Sequence, residues 1–395
     1  MTAALSAKLR ECNESRTPVN IEGGATLRGM GAARTAATGI STATLDAFIT
    51  HEVHDLTCSV QAGMTLQAFS QTLAQAGQFV PLDAPLRGKA TVGGTLSAGW
   101  LGPRRHYYGR LRDFAIGSQV ILADGTIANA GGMVVKNVSG YDMTKLYIGS
   151  FGTLALVTQF NFKTLPLPRA RRVLIAALPE STRERATTQV TQLAAAPAAA
   201  LCVEGFRKSI EGEDGVDGRL FLLLEGTQRS IDRSTREIRS ALGRAGVPET
   251  AITDTGADRL FERLLDAALL STAGRTLTYR SLGTPESAPA RARALRDAAN
   301  AEALYTDVLL DIMNGDVFVR VSERESRAFA QKIEVCHDAI RAVDPRSVIV
   351  AGEAPIRESL DPWGAPPRAI AQMRDLKARF DPNGILNPGR FTGGI

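Results

Sequence analysis

Glu22-Gly23-Gly24-Ala25-Thr26-Leu27-Arg28 follows directly on the strand-like run Val19-Asn20-Ile21. A strand that enters consecutive small residues lets backbone N–H groups converge on an anion without side-chain obstruction. Thr26 adds a hydroxyl donor and Arg28 a positive charge, so a diphosphate fits this turn. An ordinary glycine turn fits it equally. A second run, Ala90-Thr91-Val92-Gly93-Gly94-Thr95-Leu96-Ser97-Ala98-Gly99, is built almost wholly of small side chains. Its backbone can press against a flat ligand or an extended ribityl chain, or against another backbone segment. Just before it, Pro81-Leu82-Asp83-Ala84-Pro85 reads as a rigid apolar turn with one carboxylate.

Other phosphate loops are excluded. No Gly-x-x-x-x-Gly-Lys-Ser/Thr run occurs. Gly29-Met30-Gly31 starts a dinucleotide fingerprint, but Arg34 stands where its last glycine or alanine belongs.

The surrounding pattern is mixed. Leu56–Val60 reads as a strand, and Thr65–Ala76 as a helix with Leu66, Phe69 and Leu73 on one face, ended by Gly77. Ala115–Leu122 and Thr126–Ala130 flank the hairpin turn Asp124-Gly125. Leu154–Phe162 is a further strand, and Pro166-Leu167-Pro168 closes the region. Beyond it strands alternate with helices. Strands are expected at Val173–Ala177, Leu220–Leu224, Leu277–Tyr279, Leu304–Met313 and Val317–Val321. Helices are expected at Ser181–Ala195, Ser230–Ala245 and Ala290–Ala301. Alanine-rich 194–200 reads as a helix end and loop, and 211–218 as an acidic loop. A helix over Arg368–Phe380 precedes the turn Asp381-Pro382-Asn383-Gly384 and Asn387-Pro388-Gly389-Arg390. No internal repeat is visible.

Two more segments complete a set. They are Val135-Lys136-Asn137-Val138-Ser139-Gly140-Tyr141-Asp142-Met143-Thr144-Lys145-Leu146 and Ile148-Gly149-Ser150-Phe151-Gly152-Thr153-Leu154. In this order, with Leu56-Thr57 through Ala62-Gly63-Met64-Thr65 and the tail 380–390, the chain resembles vanillyl-alcohol-oxidase (PCMH-type) FAD-binding flavoproteins. Within them it is most similar to the FAD-binding E subunits of bacterial glycolate oxidase. The resemblance covers about residues 17–168 and the tail, and is loose between them. It implies an α+β fold: a PCMH-type FAD-binding domain of two α+β subdomains over 1–168, an α+β cap with a mostly antiparallel sheet over 169–365, and a C-terminal helix and tail, 366–395, returning to the FAD domain.

The same resemblance assigns site residues. Gly23, Gly24, Ala25, Thr26, Leu27 and Arg28 would cradle the FAD pyrophosphate. Pro81, Leu82, Asp83, Thr91, Val92, Gly93, Gly94, Ser97 and Gly99 would line the flavin and ribityl chain. Gly149, Gly152, Thr153 and Val157 would lie near the adenosine, and Asn387 near the flavin. Ala25 departs from the family's third glycine, where a methyl could crowd the pyrophosphate. Neither glycine-rich run holds a histidine, so the FAD is expected to be non-covalent.

Relatives that oxidise 2-hydroxy acids carry a histidine-rich metal or base site in the cap and C-terminal regions. Here the corresponding stretches read Met313-Asn314-Gly315-Asp316-Val317-Phe318 and Gly352-Glu353-Ala354-Pro355. Asp316 and Glu353 are the carboxylates in suggestive places, as base or as structure. Oxidation of a 2-hydroxy acid needs a base, a cation for the carboxylate and a hydride path; no catalytic residue or metal ligand is assigned. Of the four histidines, His51, His54 and His337 read as surface residues. His106, among Arg104, Arg105, Tyr107 and Tyr108, either approaches a flavin or substrate carboxylate or lies in a solvated loop.

The expected function is that of an accessory FAD-binding subunit in a glycolate-oxidising complex. Its partners would be a catalytic FAD-linked subunit and an iron–sulfur subunit, with a small 2-hydroxy acid as the complex's substrate. The alternatives are a self-sufficient 2-hydroxy acid dehydrogenase and a flavin-free scaffold.

Bulk composition agrees with a globular chain of 395 residues, 44% hydrophobic, long enough for two domains. Its 46 basic and 41 acidic residues leave a net charge of +5, too little and too scattered to imply nucleic acid. Cys12, Cys58, Cys202 and Cys336 lie too far apart to suggest a zinc or iron–sulfur site in this chain alone. No run approaches the ~18 apolar residues of a membrane helix. A cytoplasmic chain is expected, reaching the inner membrane only peripherally through the complex.

Overall fold

A computed structural model of the chain describes residues 1–32, 38–133, 141–205, 218–255, 258–267, 275–300, 304–323, 329–353, 356–357 and 359–395. Arg34, the first half of the 135–146 motif (135–140), the acidic stretch 211–217 and Ala354-Pro355 lie outside the described residues. Two compact units are present. One comprises Met1–Gly102, Gly109–Leu167 and Pro366–Ile395; the other comprises Pro103–Tyr108 and Pro168–Ala365.

The first unit joins two α+β parts. A parallel strand pair, Val19–Glu22 with Thr38–Ser41, leads into the first glycine-rich turn. An antiparallel five-stranded sheet runs in the order Phe48–Glu52, Thr57–Gln61, Leu156–Lys163, Ala115–Ile121, Ile127–Gly131. The Asp124-Gly125 turn forms as expected, with Gly125 at φ 82°. Helix Leu66–Gln75 buries Leu66, Phe69 and Leu73. Thr65 caps it by accepting the Ala68 N–H at 3.2 Å, and Gly77 follows at φ 66°. The helix Thr2–Glu14 is not foreshadowed by the sequence reading. It buries Ser6, Leu9 and Cys12, with Leu5 packed beside them, too thin a stripe to stand out from composition.

The C-terminal segment is integral to this unit. Val19 N–H donates to the Ile385 carbonyl at 2.8 Å, and Asn387 N–H donates to the Val19 carbonyl at 3.0 Å. Residues 385–387 thus extend the parallel pair. Asp381, with its side chain fully buried, holds the turn by accepting from the N–H groups of Ile385 (3.0 Å) and Leu386 (2.7 Å). It also pairs with Lys377 Nζ at 2.5 Å. That ammonium donates to the carbonyls of Thr153 and Leu386 as well, each at 2.8 Å. Burial lowers the Lys377 pKa, and Asp381 works against that shift.

The second unit is one antiparallel sheet of eight strands. Its order is Ile252–Thr255, Ala170–Ala177, Arg219–Gly226, Ala199–Glu204, Tyr305–Asp311, Asp316–Glu323, Arg275–Ser281, Val348–Gly352. Part of the alanine-rich stretch is therefore strand, since Ala199 and Ala200 pair with Leu223 and Leu222. The absence of an internal repeat does not hold. Residues 170–255 run strand–helix–strand–strand–helix–strand, and residues 275–352 do the same. In each half the spatial order is fourth, first, third, second strand, with the two halves meeting at their second strands. The seam pairs Leu201 with Asp311 and Glu204 with Val308. Two antiparallel equivalent strands side by side give the halves a local twofold relation.

Side chains alternate across this sheet. One face is apolar, with Leu174, Cys202, Leu222, Tyr279, Leu310 and Val319 packed in the core with Ile231, Ile238, Leu295, Phe329 and Ile340 from helices. The alternate positions include Glu225, Arg280, Asp311, Asp316 and Arg320, all buried. His337 belongs to the apolar side rather than the surface. It is 7% exposed, and its Nδ1 lies 3.1 Å from the Tyr279 hydroxyl. A tyrosine facing it from a distant strand is invisible to helical periodicity.

Asp381→Ala leaves a buried ammonium and two backbone N–H groups without their acceptor. A stability loss of about 3–5 kcal/mol is expected in urea unfolding at pH 7, with a smaller loss for Asp381→Asn.

Candidate functional site

The expected cofactor residues of the first unit meet one another through glycines. A Cβ on Gly24 would lie 1.7 Å from the Lys89 carbonyl oxygen, and one on Gly23 would lie 2.2 Å from Thr91 Oγ1. The first turn therefore sits directly on the start of the second glycine-rich run. That run forms a short helix, Val92–Ser97. Gly93 packs against Ala62, where a Cβ would fall 2.6 Å from the alanine methyl. Gly99 abuts Gly149, with 2.9 Å from its notional Cβ to the Gly149 Cα and both at positive φ. Gly152, also at positive φ, leaves 2.8 Å to Asn387 Nδ2. Asn387 Oδ1 accepts from Ile21 N–H at 2.7 Å, and its Nδ2 donates to the Phe151 carbonyl at 2.7 Å. The chain of contacts closes two residues before Gly23.

Within this ring, backbone donors are distributed unevenly. The N–H groups of Val92 and Gly93 donate to the carbonyls of Met64 and Ala62, and Gly94 N–H donates to Thr91 Oγ1. The helix start is thus already satisfied by protein. The N–H groups of Gly24, Ala25 and Thr26 donate to no protein acceptor among the described residues. Ala25 is in the left-handed region at φ 55°. Consecutive free N–H groups around a left-handed residue form an anion-binding concavity. Ala25 stands in a conformation that costs an L-residue roughly 1–2 kcal/mol.

The remaining residues fall into two groups. Gly94, Ser97 and Gly99 are half-buried on an otherwise buried run, offering a surface without bulk. Thr91, Val92, Gly93, Pro81, Leu82, Asp83, Thr153 and Val157 are buried. Arg28 does not stand as a free cation, because its Nη2 pairs with Glu22 at 2.5 Å on the surface. Leu27 and Arg28 contribute carbonyls instead: Arg390 donates to Leu27 O at 2.9 Å, to Ala32 O at 2.9 Å and to Arg28 O at 3.3 Å. Arg390 was legible only as part of a tail motif, with nothing to say that it grips the glycine-rich turn.

A second polar cluster lies wholly in the other unit. The hexapeptide Pro103–Tyr108 is bound there by its side chains. Glu225, fully buried, accepts from Arg104 (3.2 Å), Arg171 (2.5 Å) and the Tyr108 hydroxyl (2.8 Å). Arg105 bridges Asp316 at 2.7 Å and Asp311 at 3.6 Å, and Arg280 takes the other Asp316 oxygen at 2.5 Å. Asn314 donates to Asp311 at 2.8 Å and to the Pro103 carbonyl at 2.8 Å. Asp316 is thus an ion-pair partner of two arginines, not a free base. Asp311 differs: burial raises its pKa to about 7, with Asp316 adding to the rise and Arg105 and Asn314 opposing it.

His106 sits neither free nor in solvent. Its ring nitrogens face two carbonyls, Nδ1 at 3.0 Å from Pro103 O and Nε2 at 2.7 Å from Pro197 O. Burial lowers its pKa, while those carbonyls favour the charged ring. His51 lies within the strand Phe48–Glu52, half-buried, with Nε2 2.9 Å from Gln78 Oε1. Among the described residues no three His, Cys, Asp or Glu side chains are grouped to hold a metal, and the four cysteines are buried free thiols.

Comparison with known proteins bears on the ring of glycines. Residues 1–131 match the family model described as FAD binding domain, and residues 362–391 match FAD linked oxidases, C-terminal domain. FAD is the cofactor of this chain, and both the amino-terminal glycine-rich turn and the tail that closes on it fall within the matched residues. Glycolate oxidase subunit GlcD of Bacillus subtilis is 29% identical over 367 residues, 85% of this chain and 75% of the relative. Glycolate oxidase subunit GlcE of Escherichia coli is 31% identical over 240 residues, 60% of this chain and 63% of the relative. Mitochondrial D-2-hydroxyglutarate dehydrogenase of Bos taurus is 28% identical, covering 96% of this chain and 73% of the relative. The fold is shared with 4-ethylphenol oxidase from Gulosibacter chungangensis, at TM-score 0.71 and 15% identity over 98% of this chain and 87% of that one. It is shared too with alkyldihydroxyacetonephosphate synthase, at TM-score 0.71 and 13% identity over 97% of this chain and 74% of that one. The α+β architecture with a PCMH-type FAD-binding domain is therefore as expected.

Two outcomes follow. Ala25→Gly relieves the left-handed strain, so the FAD-loaded protein gains about 0.5–1 kcal/mol in urea unfolding and binds FAD more tightly in fluorescence titration. A raised Asp311 pKa means that the folded state holds a proton the unfolded chain has lost. Its stabilising contribution is full below the ordinary carboxylate pKa and falls as pH rises toward about 7. Between about pH 4 and 7, the stability of the native protein relative to Asp311→Asn therefore declines by at least about 1 kcal/mol.

Proposed function

We propose that the chain is the FAD-binding subunit of a glycolate oxidase or dehydrogenase complex, acting in oxidation of glycolate to glyoxylate. A catalytic FAD-linked subunit and an iron–sulfur subunit are its partners. The observation that carries this reading is the state of the carboxylates on the polar sheet face. Asp316 is held by Arg105 and Arg280, and Glu225 by Arg104 and Arg171. Arginines that neutralise carboxylates are not free to bind a substrate carboxylate, and paired carboxylates are poor bases. Similarity to both GlcD and GlcE supports the glycolate assignment.

In this reading the N–H groups of Gly24, Ala25 and Thr26 hold the FAD diphosphate. Gly94, Ser97 and Gly99 leave room for the ribityl chain and flavin. Residues 149–153 carry the adenosine side. Asn387 and Arg390 position the turn rather than contact the reacting atoms. FAD, when bound, supplies a two-electron acceptor.

A second reading, a self-sufficient 2-hydroxy acid dehydrogenase, draws on Asp311. Its pKa of about 7 suits a general base, and the D-2-hydroxyglutarate dehydrogenase match spans nearly the whole chain. Anaerobic addition of glycolate to the purified yellow chain separates the two. An unchanged flavin spectrum, with reduction only when the catalytic and iron–sulfur subunits are added, is expected. Bleaching of the isolated chain by glycolate would instead establish the self-sufficient enzyme.

A further inference from the structure

The local twofold of the second unit places two equivalent helices, Glu180–Thr191 and Ala288–Asn300, on the apolar side of the sheet. Both follow the first strand of their half. A cleft of about 680 Å³ is lined by these helices, by the end of helix Gln228–Arg244 and by the seam residues Glu204 and Leu310. Its size is within the usual range of small-molecule sites. It lies on the opposite side of the sheet from Asp311, Asp316 and Glu225 by strand alternation.

The cleft is built around one carboxylate. Glu204 rises from the seam and bridges the equivalent helices, with Oε1 2.8 Å from Arg183 Nη1 and Oε2 2.8 Å from Arg296 Nη1. Arg296 also reaches Glu180, and Arg293 pairs with Glu184 across the same helices. These ion pairs fix the spacing of the two walls. They do not use up the positive charge, because five arginines line the cleft against three glutamates. Arg185 and Arg244 reach no carboxylate among the described residues. Arg244 makes only neutral contacts, with Ser240 Oγ at 3.0 Å and Gln189 Oε1 at 3.4 Å. Among the described residues, Arg183 Nε is buried without an acceptor. Thr188 and Ser181 add hydroxyls at the lining.

We propose that this cleft binds a small organic dianion, with its two negative groups held by Arg185 and Arg244. Two surplus positive charges match two oxyanion charges. The guanidinium forks suit planar carboxylate or phosphate oxygens, which accept in pairs. Glu204 disfavours a third negative charge near the seam by like-charge repulsion. The proposal is independent of the FAD site and of the reaction assigned above.

The test is isothermal titration of the FAD-loaded full chain with inorganic pyrophosphate and, separately, with succinate, at a mildly acidic pH where both probes are mainly dianions. Ionic strength is held constant with sodium chloride, so that screening does not mimic binding. One-to-one binding is expected, weakened about tenfold or more in Arg185→Gln/Arg244→Gln. The double variant should keep its flavin spectrum and melting temperature. Binding of pyrophosphate alone identifies a phosphorylated ligand, and binding of succinate alone identifies a dicarboxylate; either supports the site. No saturable heat from either probe up to about 10 mM overturns it. So does binding that the double variant leaves unchanged.

Discussion

Everything in the FAD-binding unit depends on how closely two stretches of backbone can approach. Gly23 and Gly24 lie against Lys89–Thr91 at separations that a single methyl would close. That contact sets the strand Val19–Glu22 beside the helix Val92–Ser97. The helix start is satisfied from Met64, Ala62 and Thr91, whereas the N–H groups of Gly24, Ala25 and Thr26 have no acceptor among the described residues. The glycines thus serve packing first. In the proposed reading their part in holding an anion is indirect: they position the neighbouring donors.

The same economy explains the tail. Asn387 joins Ile21 to the Phe151 carbonyl, and Arg390 grips carbonyls of the turn from the other side. A turn whose carbonyls are held one way presents its N–H groups the other way. Lys377 and Asp381 supply the rigidity behind it, a buried ion pair whose partners are nearly all backbone. Strength here comes from removing alternatives to one backbone path, since such pairs contribute little net stability but are costly to break.

The glycine-rich runs and the order of motifs were legible because backbone demands leave a residue-type signature. The helix Leu66–Gln75 was legible from spacing and its threonine cap. The repeat of the second unit was not, because a sheet with helices on one face constrains only alternation and apolar character, which many sequences satisfy. His337 was misread for a related reason: it is buried against Tyr279, distant in sequence. The contact of half-buried His106 with the Pro197 carbonyl was out of view for the same reason. Asp316 read as a candidate base because its arginine partners, Arg105 and Arg280, come from elsewhere in the chain. Long-range pairing is the information that a linear reading lacks.

The discontinuity of the first unit also has a bearing on biosynthesis. Val19 takes its place with Ile385 and Asn387, and the glycine-rich turn with Arg390. On the ribosome the amino-terminal strand therefore waits, without its third neighbour, while the whole eight-stranded sheet is made. That sheet has all its own strands and can fold first as a unit. The glycine-rich turn and its strand are therefore complete only once residues 385–390 have joined Val19 and Leu27.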